Sequence, residues 1–487
     1  MATHSPQPTS KKVCIVGAGM AGLAAVRELR REGHAVTVLE QSHDVGGQWL
    51  YDPRTDDADP LGAAAPVRVH SSMYDSLRLM SPREAMGFSD FPFASRDGAG
   101  AGCDPRRFPG HREVYCYLKD FCDAFGLVDA IRLNTRAVRI ALAPPCDVGS
   151  SLRWQVRAVQ VEPESNKEVS YTEEVFDAVV VATGHYSQPK LPSIDGMEQW
   201  RRTQLHSHSY RTPGPFCGET VVVVGCGESG TDIAVELTGV AREVHLAARS
   251  MEVVSPGLSK AIARHDNLHL HLGVERLRED GAVVFADGSS AVADTVIYCT
   301  GYSYSFPFLE TEGRVTVDDN RVDPLFEHVF PASPLAPSLS FVGIPIRVIA
   351  PWFFEGQARW VARVLSGRSE LPTEAEMVRS VEAQRRAREA AGVPNKLAHD
   401  ICGVEPHQYM SEFGERWCGF PRLESWKIEL FASSVKNMAA NFETFRDEYE
   451  DSDTVREALK EWRRSSGVGA RHPEEEEDAD AAEAMPP

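Results

Sequence analysis

An α/β fold with two Rossmann-like dinucleotide-binding domains, one inserted into the other, is predicted by three features of the sequence. An apolar run, a glycine turn, an amphipathic helix and a second apolar run occur in that order at residues 11–42 and again at 219–250. Two apolar runs ending in Thr-Gly, FDAVVVATGH (176–185) and ADTVIYCTGY (293–302), follow the two units in the same relative places. A further apolar run, PSLSFVGIP (337–345), comes after the second unit, where the chain can return to the first sheet. Parallel strands joined through helices produce this pattern, and a twofold copy of it means two sheets.

The first unit opens with the strand Val13–Val16; Leu23, Val26 and Leu29 then recur at helical spacing, Gly33 ends the helix and Ala35–Leu39 form the next strand. Between strand and helix, Gly17, Gly19 and Gly22 make a G-x-G-x-x-G turn with Ala18, Met20 and Ala21 interleaved. That spacing allows a tight turn, close backbone approach to a pyrophosphate, and close helix packing with the helix N-terminus facing the negative charge. Glu40 stands eighteen residues after Gly22, with Gln41 beside it, where a carboxylate accepts from ribose hydroxyls.

The second unit repeats the plan with Gly225, Gly227 and Gly230, interleaved by Cys226, Glu228 and Ser229. Its second strand ends in Arg249 and Ser250, nineteen and twenty residues past Gly230, where the first unit carries an acid. A cation there suits the 2′-phosphate of NADPH. Two dinucleotide sites in one chain imply a flavoprotein, with FAD on the acidic unit, NADPH on the basic one, and hydride passing from nicotinamide to flavin. Neither C-x-x-C nor C-x-x-x-x-C occurs, which removes a disulfide reductase and leaves oxygen as the expected electron acceptor.

These elements set the expected boundaries: 10–185 for the first part of the FAD domain, 186–302 for the inserted NADPH domain, 303–464 for the second part of the FAD domain, and 465–487 for an acidic tail. The two Thr-Gly runs are expected to close their sheets and to serve as hinges. FFEGQARWVARVLSG (353–367) reads as the helix of the resumed FAD domain, and ASRDGAGAGCD (94–104) and PCDVGS (145–150) as surface loops. Thr373 with Glu376 forms a capping box before a polar, outward-facing helix over Glu374–Ala391.

With 487 residues, 42% hydrophobic and 25% charged, the chain has the composition of a globular protein of two or three domains. Its formal charge of −20 includes seven acids in the last fifteen residues, PEEEEDADAAEAMPP, a stretch expected to be disordered and solvating. The acidic balance excludes nucleic acid as an expected partner. No leader pattern and no membrane-spanning run occur, and a cytoplasmic location is expected. Ten scattered cysteines read as reduced, mostly buried thiols. In TQLHSHSY (203–210), His206 and His208 share one face of an extended segment as two metal ligands would, but further ligands at workable spacing are missing and no metal is expected.

GAGMAG, GGQW (46–49), GCGESG, CTGYSYSFPFLE and the run W-x-x-x-x-x-HSHSYR together resemble the flavin-containing monooxygenases. The signature of that family, F-x-G-x-x-x-H-x-x-x-(F/Y), is matched here by Trp200, Arg202, His206 and Tyr210, with Arg202 in place of the glycine. Tyr210, where a Baeyer–Villiger enzyme would carry tryptophan, favours the former family. The resemblance runs from Val13 to Tyr449 and is greatest to the plant glucosinolate S-oxygenase type, through HSSMYDSLR (70–78), PREAMGFSDFPF (82–93), GHYSQPKLP (184–192) and NFETFRDEYED (441–451).

What the resemblance implies is a monooxygenase in which NADPH reduces FAD, O2 adds at flavin carbon 4a, and retained NADP+ guards the hydroperoxide until a soft nucleophile attacks. Thioether S-oxygenation to a sulfoxide is the expected reaction. N-hydroxylation of amines or amino acids is an alternative, as is an uncoupled NADPH oxidase or nucleotide-sensing flavoprotein. Gly47, Trp49, Thr183, Gly184, His206, Tyr210 and Gln357 join the expected cofactor residues, and His185 is a further candidate beside the cofactor. Trp352, Phe353 and Phe354 are expected core residues that could line a substrate channel. In the family an asparagine after Y-x-S-L-R-T lies against the flavin; here Leu79 and Met80 occupy those two places. Methionine cannot donate the amide hydrogen bond. Met80 and Ser81 are therefore the catalytic positions, with peroxide leakage or substitution by Ser81 as the expected consequence.

Overall fold

The computed structural model describes residues 9–95, 104–145, 151–162, 167–401 and 406–465. The glycine-rich stretch 96–103, the turn 146–150 and the acidic tail from 466 lie outside the described residues. Two five-stranded sheets, each wholly parallel, form the framework. The first runs in the spatial order Leu339–Phe341, Ala178–Val181, Lys12–Val16, Ala35–Leu39, Ile131–Arg132. The second runs Leu268–Leu272, Glu243–Ala248, Thr220–Val224, Thr295–Tyr298, Thr203–His206. In both, the strand leading into the glycine turn is central. Thr220–Val224 and Ala178–Val181 are buried along their whole length, as strands covered on both faces must be, and for that reason they read as unbroken apolar runs.

The second sheet takes all its strands from residues 203–298, whereas the first recovers an edge strand at 339–341. One dinucleotide unit is thus inserted into the other. The Thr-Gly strands do not close their sheets, contrary to expectation: each is flanked on both sides, and the edges are Leu339–Phe341 and Thr203–His206. The segment that carries the HSHSY run therefore begins as the edge strand of the inserted sheet.

The helix after the first glycine turn, Met20–Arg31, packs on Ala350–Leu365, the helix expected from FFEGQARWVARVLSG. Phe353 is fully buried there and Trp352 packs against Phe420, so both belong to the core. The capping box of Thr373 and Glu376 is formed at the start of Glu374–Ala390. An antiparallel sheet, Thr135–Leu142, Trp154–Val161 and Glu168–Phe176, was not expected from the sequence. Three helices near the end of the described chain, Pro406–Cys418, Ser425–Ala440 and Asp453–Ser465, were not expected either. Of the described cysteines, Cys14, Cys122 and Cys418 are buried, and Cys217 is exposed. Among the described residues no helix is long and apolar enough to cross a membrane.

Candidate active site

At the carboxyl end of the first sheet, where ligands of open α/β sheets bind, a cleft encloses about 1610 Å³ of space including its mouth. Gly17, Gly19, Met20 and Ala21 line it from the glycine turn, Glu40 and Gln41 from the end of the next strand, and Gly47, Trp49, Thr183 and Gly184 from the far walls. Gly17 has φ of +102°, and a Cβ there would stand 2.6 Å from the Ala182 carbonyl. A Cβ on Gly22 would lie 1.9 Å from the Gly17 carbonyl, so this glycine serves the close packing of helix on turn. Gly19 and Gly47 meet back to back: a Cβ on Gly47 would come 2.9 Å from the Gly19 Cα.

The Glu40 side chain is buried and already ordered. Its Oε2 accepts from the Ala18 N–H at 2.7 Å and its Oε1 from the Ser42 N–H at 2.8 Å, which fixes the carboxylate at the cleft wall. Thr183 carries a buried hydroxyl without a partner in the same wall. A polar cleft floor with a fixed acceptor, an unpaired hydroxyl and glycines that keep the backbone bare fits a dinucleotide. His70 lines the cleft too. Burial lowers its pKa, against the opposing charge of Glu40. Nothing in HSSMYDSLR (70–78) marks His70 as a cleft residue at the level of sequence. His185, whose Nδ1 lies 3.0 Å from the Gly343 carbonyl, lines the cleft with Tyr186 and Phe354.

The second glycine turn has the same internal geometry and a different exposure. Gly225 has φ of +114°, and a Cβ there would lie 2.4 Å from the Cys299 carbonyl; on Gly230 it would lie 1.8 Å from the Gly225 carbonyl. A Cβ on Gly227 would meet nothing within 4 Å, leaving the turn open where a pyrophosphate would approach. Cys226 is half-buried beside Thr231, and Glu228 and Ser229 open the helix Glu228–Leu237 on an exposed turn. Arg249 is exposed at the end of its strand, and its guanidinium makes no hydrogen bond or ion pair with another described residue.

His206 and Tyr210 lie outside the cleft lining, each held by its own partners. His206 is fully buried: its Nδ1 accepts from the His208 N–H at 3.1 Å, its Nε2 has no partner, and its ring meets Tyr302 edge-on. Burial lowers its pKa to about 3. Tyr210 donates to Glu236 at 2.6 Å and stacks on Phe216. Arg211 follows, buried, donating to the carbonyls of Asp52, Arg54, Ser71, His208 and Tyr210. The HSHSYR run is thus a pin between the inserted unit and the loop 52–71, held by hydrogen bonds. No group of three or more metal-ligating side chains suited to a cation occurs among the described residues.

Met80 and Ser81 are half-buried and lie outside the cleft lining; the Met80 sulfur accepts from Arg446 Nη2 at 2.8 Å. Gln357 is fully buried, its Oε1 accepting from the Gly343 N–H at 3.1 Å while its Nε2 is unpartnered. Arg202 sits at the amino end of the inserted sheet, opposite the glycine turn, donating to the carbonyls of Ala293 (2.6 Å) and Asp280 (3.1 Å).

Comparison with known proteins agrees with this architecture. The sequence model of the flavin-binding monooxygenase-like family matches residues 10–261 and 265–425. The flavin-containing monooxygenase FMO GS-OX-like 8 of Arabidopsis thaliana is 52% identical over 461 residues, covering 94% of this chain and 96% of its own. FMO GS-OX-like 9 of the same plant is 53% identical over 463 residues, covering 94% and 97%. Among solved structures, S-allyl-L-cysteine S-oxygenase from Allium sativum aligns with a TM-score of 0.84 at 41% identity, covering 94% of this chain and all of that one. FAD and NADPH are the cofactors of such a chain. With its paired glycine turns and a match along nearly its whole length, this chain belongs to the flavin-binding monooxygenase-like family and is a flavin-containing monooxygenase.

Proposed function

We propose that this enzyme uses NADPH and O2 to place one oxygen atom on the sulfur of a small thioether, giving a sulfoxide. The observation that carries the proposal is the pairing of two unlike nucleotide turns in one chain: a fixed carboxylate, Glu40, ends the strand at the first, and an unpaired arginine, Arg249, ends it at the second. The choice of sulfur over nitrogen is supported by the similarity to an S-allyl-L-cysteine S-oxygenase.

In this proposal residues 10–185 and 303–464 form the FAD domain and 186–302 the NADPH domain. Gly17, Ala18, Gly19, Met20, Ala21 and Gly22 bring bare backbone to the FAD pyrophosphate, Glu40 and Gln41 hold its ribose, and the Thr183 hydroxyl and Gly184 meet it from the opposite wall. Gly225 to Gly230 cradle the NADPH pyrophosphate, and Arg249 pairs with the 2′-phosphate. Bound FAD, reduced by NADPH, supplies the oxygen-transfer chemistry. The protein contributes a water-poor wall from Gly47, Trp49 and Phe354. Gln357 positions the Gly343 backbone behind that wall. His206 and Tyr210 keep the two domains in register, and Met80 and Ser81 act on the site through the loop that bears them. The enzyme works in the cytoplasm.

The test is turnover of the FAD-loaded protein with NADPH under isotopically heavy O2, offering methylthioalkyl compounds, S-alkyl cysteines and primary amines. One heavy oxygen per sulfoxide and one NADPH per product are expected. NADPH consumption that yields peroxide alone, or hydroxylamines in preference to sulfoxides, would sink the proposal. Arg249→Ala should reduce the preference for NADPH over NADH by about tenfold or more in kcat/KM, as loss of a charge-assisted phosphate contact requires.

A further inference from the structure

The helix that opens at the second glycine turn, Glu228–Leu237, turns two acids toward the rest of the molecule. Asp232 and Glu236 are four residues apart and so share a face. Tyr74, from the loop before the Leu79–Met80 pair, donates to Asp232 Oδ2 at 2.5 Å. Arg446, from the far end of the chain, reaches Asp232 Oδ1 at 2.9 Å with Nη1. Its Nη2 donates to the Met80 sulfur at 2.8 Å and its Nε to the Leu79 carbonyl at 3.3 Å. The Arg446 and Asp232 side chains are only 11% and 18% exposed, so solvent screens the pair weakly. Tyr210 completes the set through Glu236, meeting Tyr74 edge-on with ring centroids 5.6 Å apart.

The segment that carries Arg446 is itself tied to both units. Glu443 pairs with Arg264 and His265 on the inserted unit. Asp447 pairs with Arg78 on the other side. The approach to the inserted unit is close: a Cβ on Gly257 would lie 2.6 Å from the Phe442 nitrogen. A segment fixed at both ends thus presents one guanidinium to three partners, two on the Leu79–Met80 loop and one on the helix of the second nucleotide turn.

We propose that Arg446 is a positioning residue for hydride transfer: its bridge from Asp232 to the Leu79–Met80 loop sets the orientation of the NADPH turn relative to the flavin cleft. This rests on the assignment of NADPH to the second turn. Misplacement of reacting groups by about 1 Å is enough to slow a reaction by about a hundredfold, so a bridge that is not in contact with either cofactor can govern the rate. The thioether of Met80 takes part as an acceptor, a role methionine can fill although it cannot donate.

The experiment uses the FAD-loaded full-length protein and its variants Arg446→Met, Arg446→Lys, Asp232→Asn and Tyr74→Phe. Reduction of bound FAD by saturating NADPH is followed without oxygen, NADP+ affinity by calorimetry, and amide exchange of residues 79–81 and 228–237 by mass spectrometry. For Arg446→Met the expected result is about a tenfold or greater loss in reduction rate, with faster exchange in both segments. Arg446→Lys, which keeps the Asp232 charge pair, should recover part of the rate. Tyr74→Phe removes one hydroxyl and should lose several-fold even if Arg446→Met fails to fold. Unchanged reduction rates with only a lower melting temperature would overturn the proposal and leave a packing role. A wild-type protein that neither binds NADP+ nor is reduced by NADPH would instead overturn the NADPH assignment, and this proposal with it.

Discussion

Arg202 stands where the family signature carries glycine, and its surroundings set it apart from the glycine turn. The strand Thr203–His206 runs parallel to its neighbours, so Arg202 lies at the amino end of the sheet, whereas nucleotides bind at the carboxyl end. Its guanidinium covers Gly281, where a Cβ would lie 2.1 Å from the Arg202 Cζ, and caps the carbonyls of Asp280 and Ala293. Arg202→Gly should therefore lower stability by about 1–2 kcal/mol, the worth of two partly exposed hydrogen bonds, with no change in KM for NADPH. Melting curves and steady-state kinetics check both halves, and a raised KM would place Arg202 in the site after all. The glycines of the second turn separate in the same way. Gly230→Ala has no room, since its Cβ would be 1.8 Å from a carbonyl, and should leave little folded protein. Gly227→Ala meets only open space, so it should melt and hold FAD like the parent while binding NADP+ about tenfold more weakly, as a methyl placed in the pyrophosphate path requires. Equal NADP+ affinity by calorimetry would mean that the pyrophosphate lies elsewhere. These glycines were legible because their spacing is a backbone requirement. His70 was not, because its place in the cleft comes from a loop folding back across the sheet.

At the scale of elements, the edge strand Thr203–His206 and the 3₁₀ turn Ser207–Ser209 put two neutral imidazoles in the interior. His208 Nε2 lies 2.8 Å from the Val69 carbonyl and so donates to it, which leaves Nδ1 unprotonated and unpartnered. Burial holds the His208 pKa down at about 4 and that of His206 at about 3. The unfolded chain has its histidines near 6.5 and takes up protons first as the pH falls. Stability is therefore complete above about pH 6.5 and is lost as pH falls from there toward 4 and then 3. The drop approaches roughly 3 kcal/mol for His208 only below about pH 4, where the folded state takes up the proton as well. Melting temperature measured from pH 7.5 down to 4.5 should show this slope, and His208→Asn should start lower at pH 7.5 and fall less steeply. A variant with the parent's slope would mean that the acid sensitivity arises elsewhere. Elements with a one-to-one link between burial and pattern were the readable ones. Glu168–Phe176 was not among them: apart from Phe176 it is solvent-facing along nearly its whole length, so no alternation announces a strand.

Over the whole molecule, the position of PSLSFVGIP after the second nucleotide unit was enough to anticipate the insertion, because an apolar strand there needs a sheet to join. What could not be anticipated was how distant segments are fastened, since polar pairs such as Arg78 with Asp447, 369 residues apart, leave no periodic trace. The same holds for the link that closes the discontinuous unit, to which the proposed function assigns FAD. Arg27, 2% exposed on the helix after the first glycine turn, donates to Glu355 at 2.5 Å on the helix that follows the returning strand. Glu355 also accepts from the Ser89 backbone and hydroxyl, each at 2.7 Å. Arg27 keeps Glu28 and Asp90 as further partners and lies over the Phe121 ring. Glu355→Gln preserves the shape but removes the buried countercharge, a change that costs about 3–5 kcal/mol when a buried pair loses one member. The remaining acids around Arg27 put the expected loss at the lower end, about 3 kcal/mol, or roughly 4 °C in melting temperature for a unit this large, at about 2.1 cal/mol/K of unfolding entropy per residue. Because Ala350 and Phe354 on the same helix line the cleft, FAD should be released at that lower temperature together with the loss of fold. Flavin fluorescence and circular dichroism recorded in one thermal scan would show both transitions moving together; FAD release that stays at the parent's temperature would mean that the returning helix does not close the FAD site.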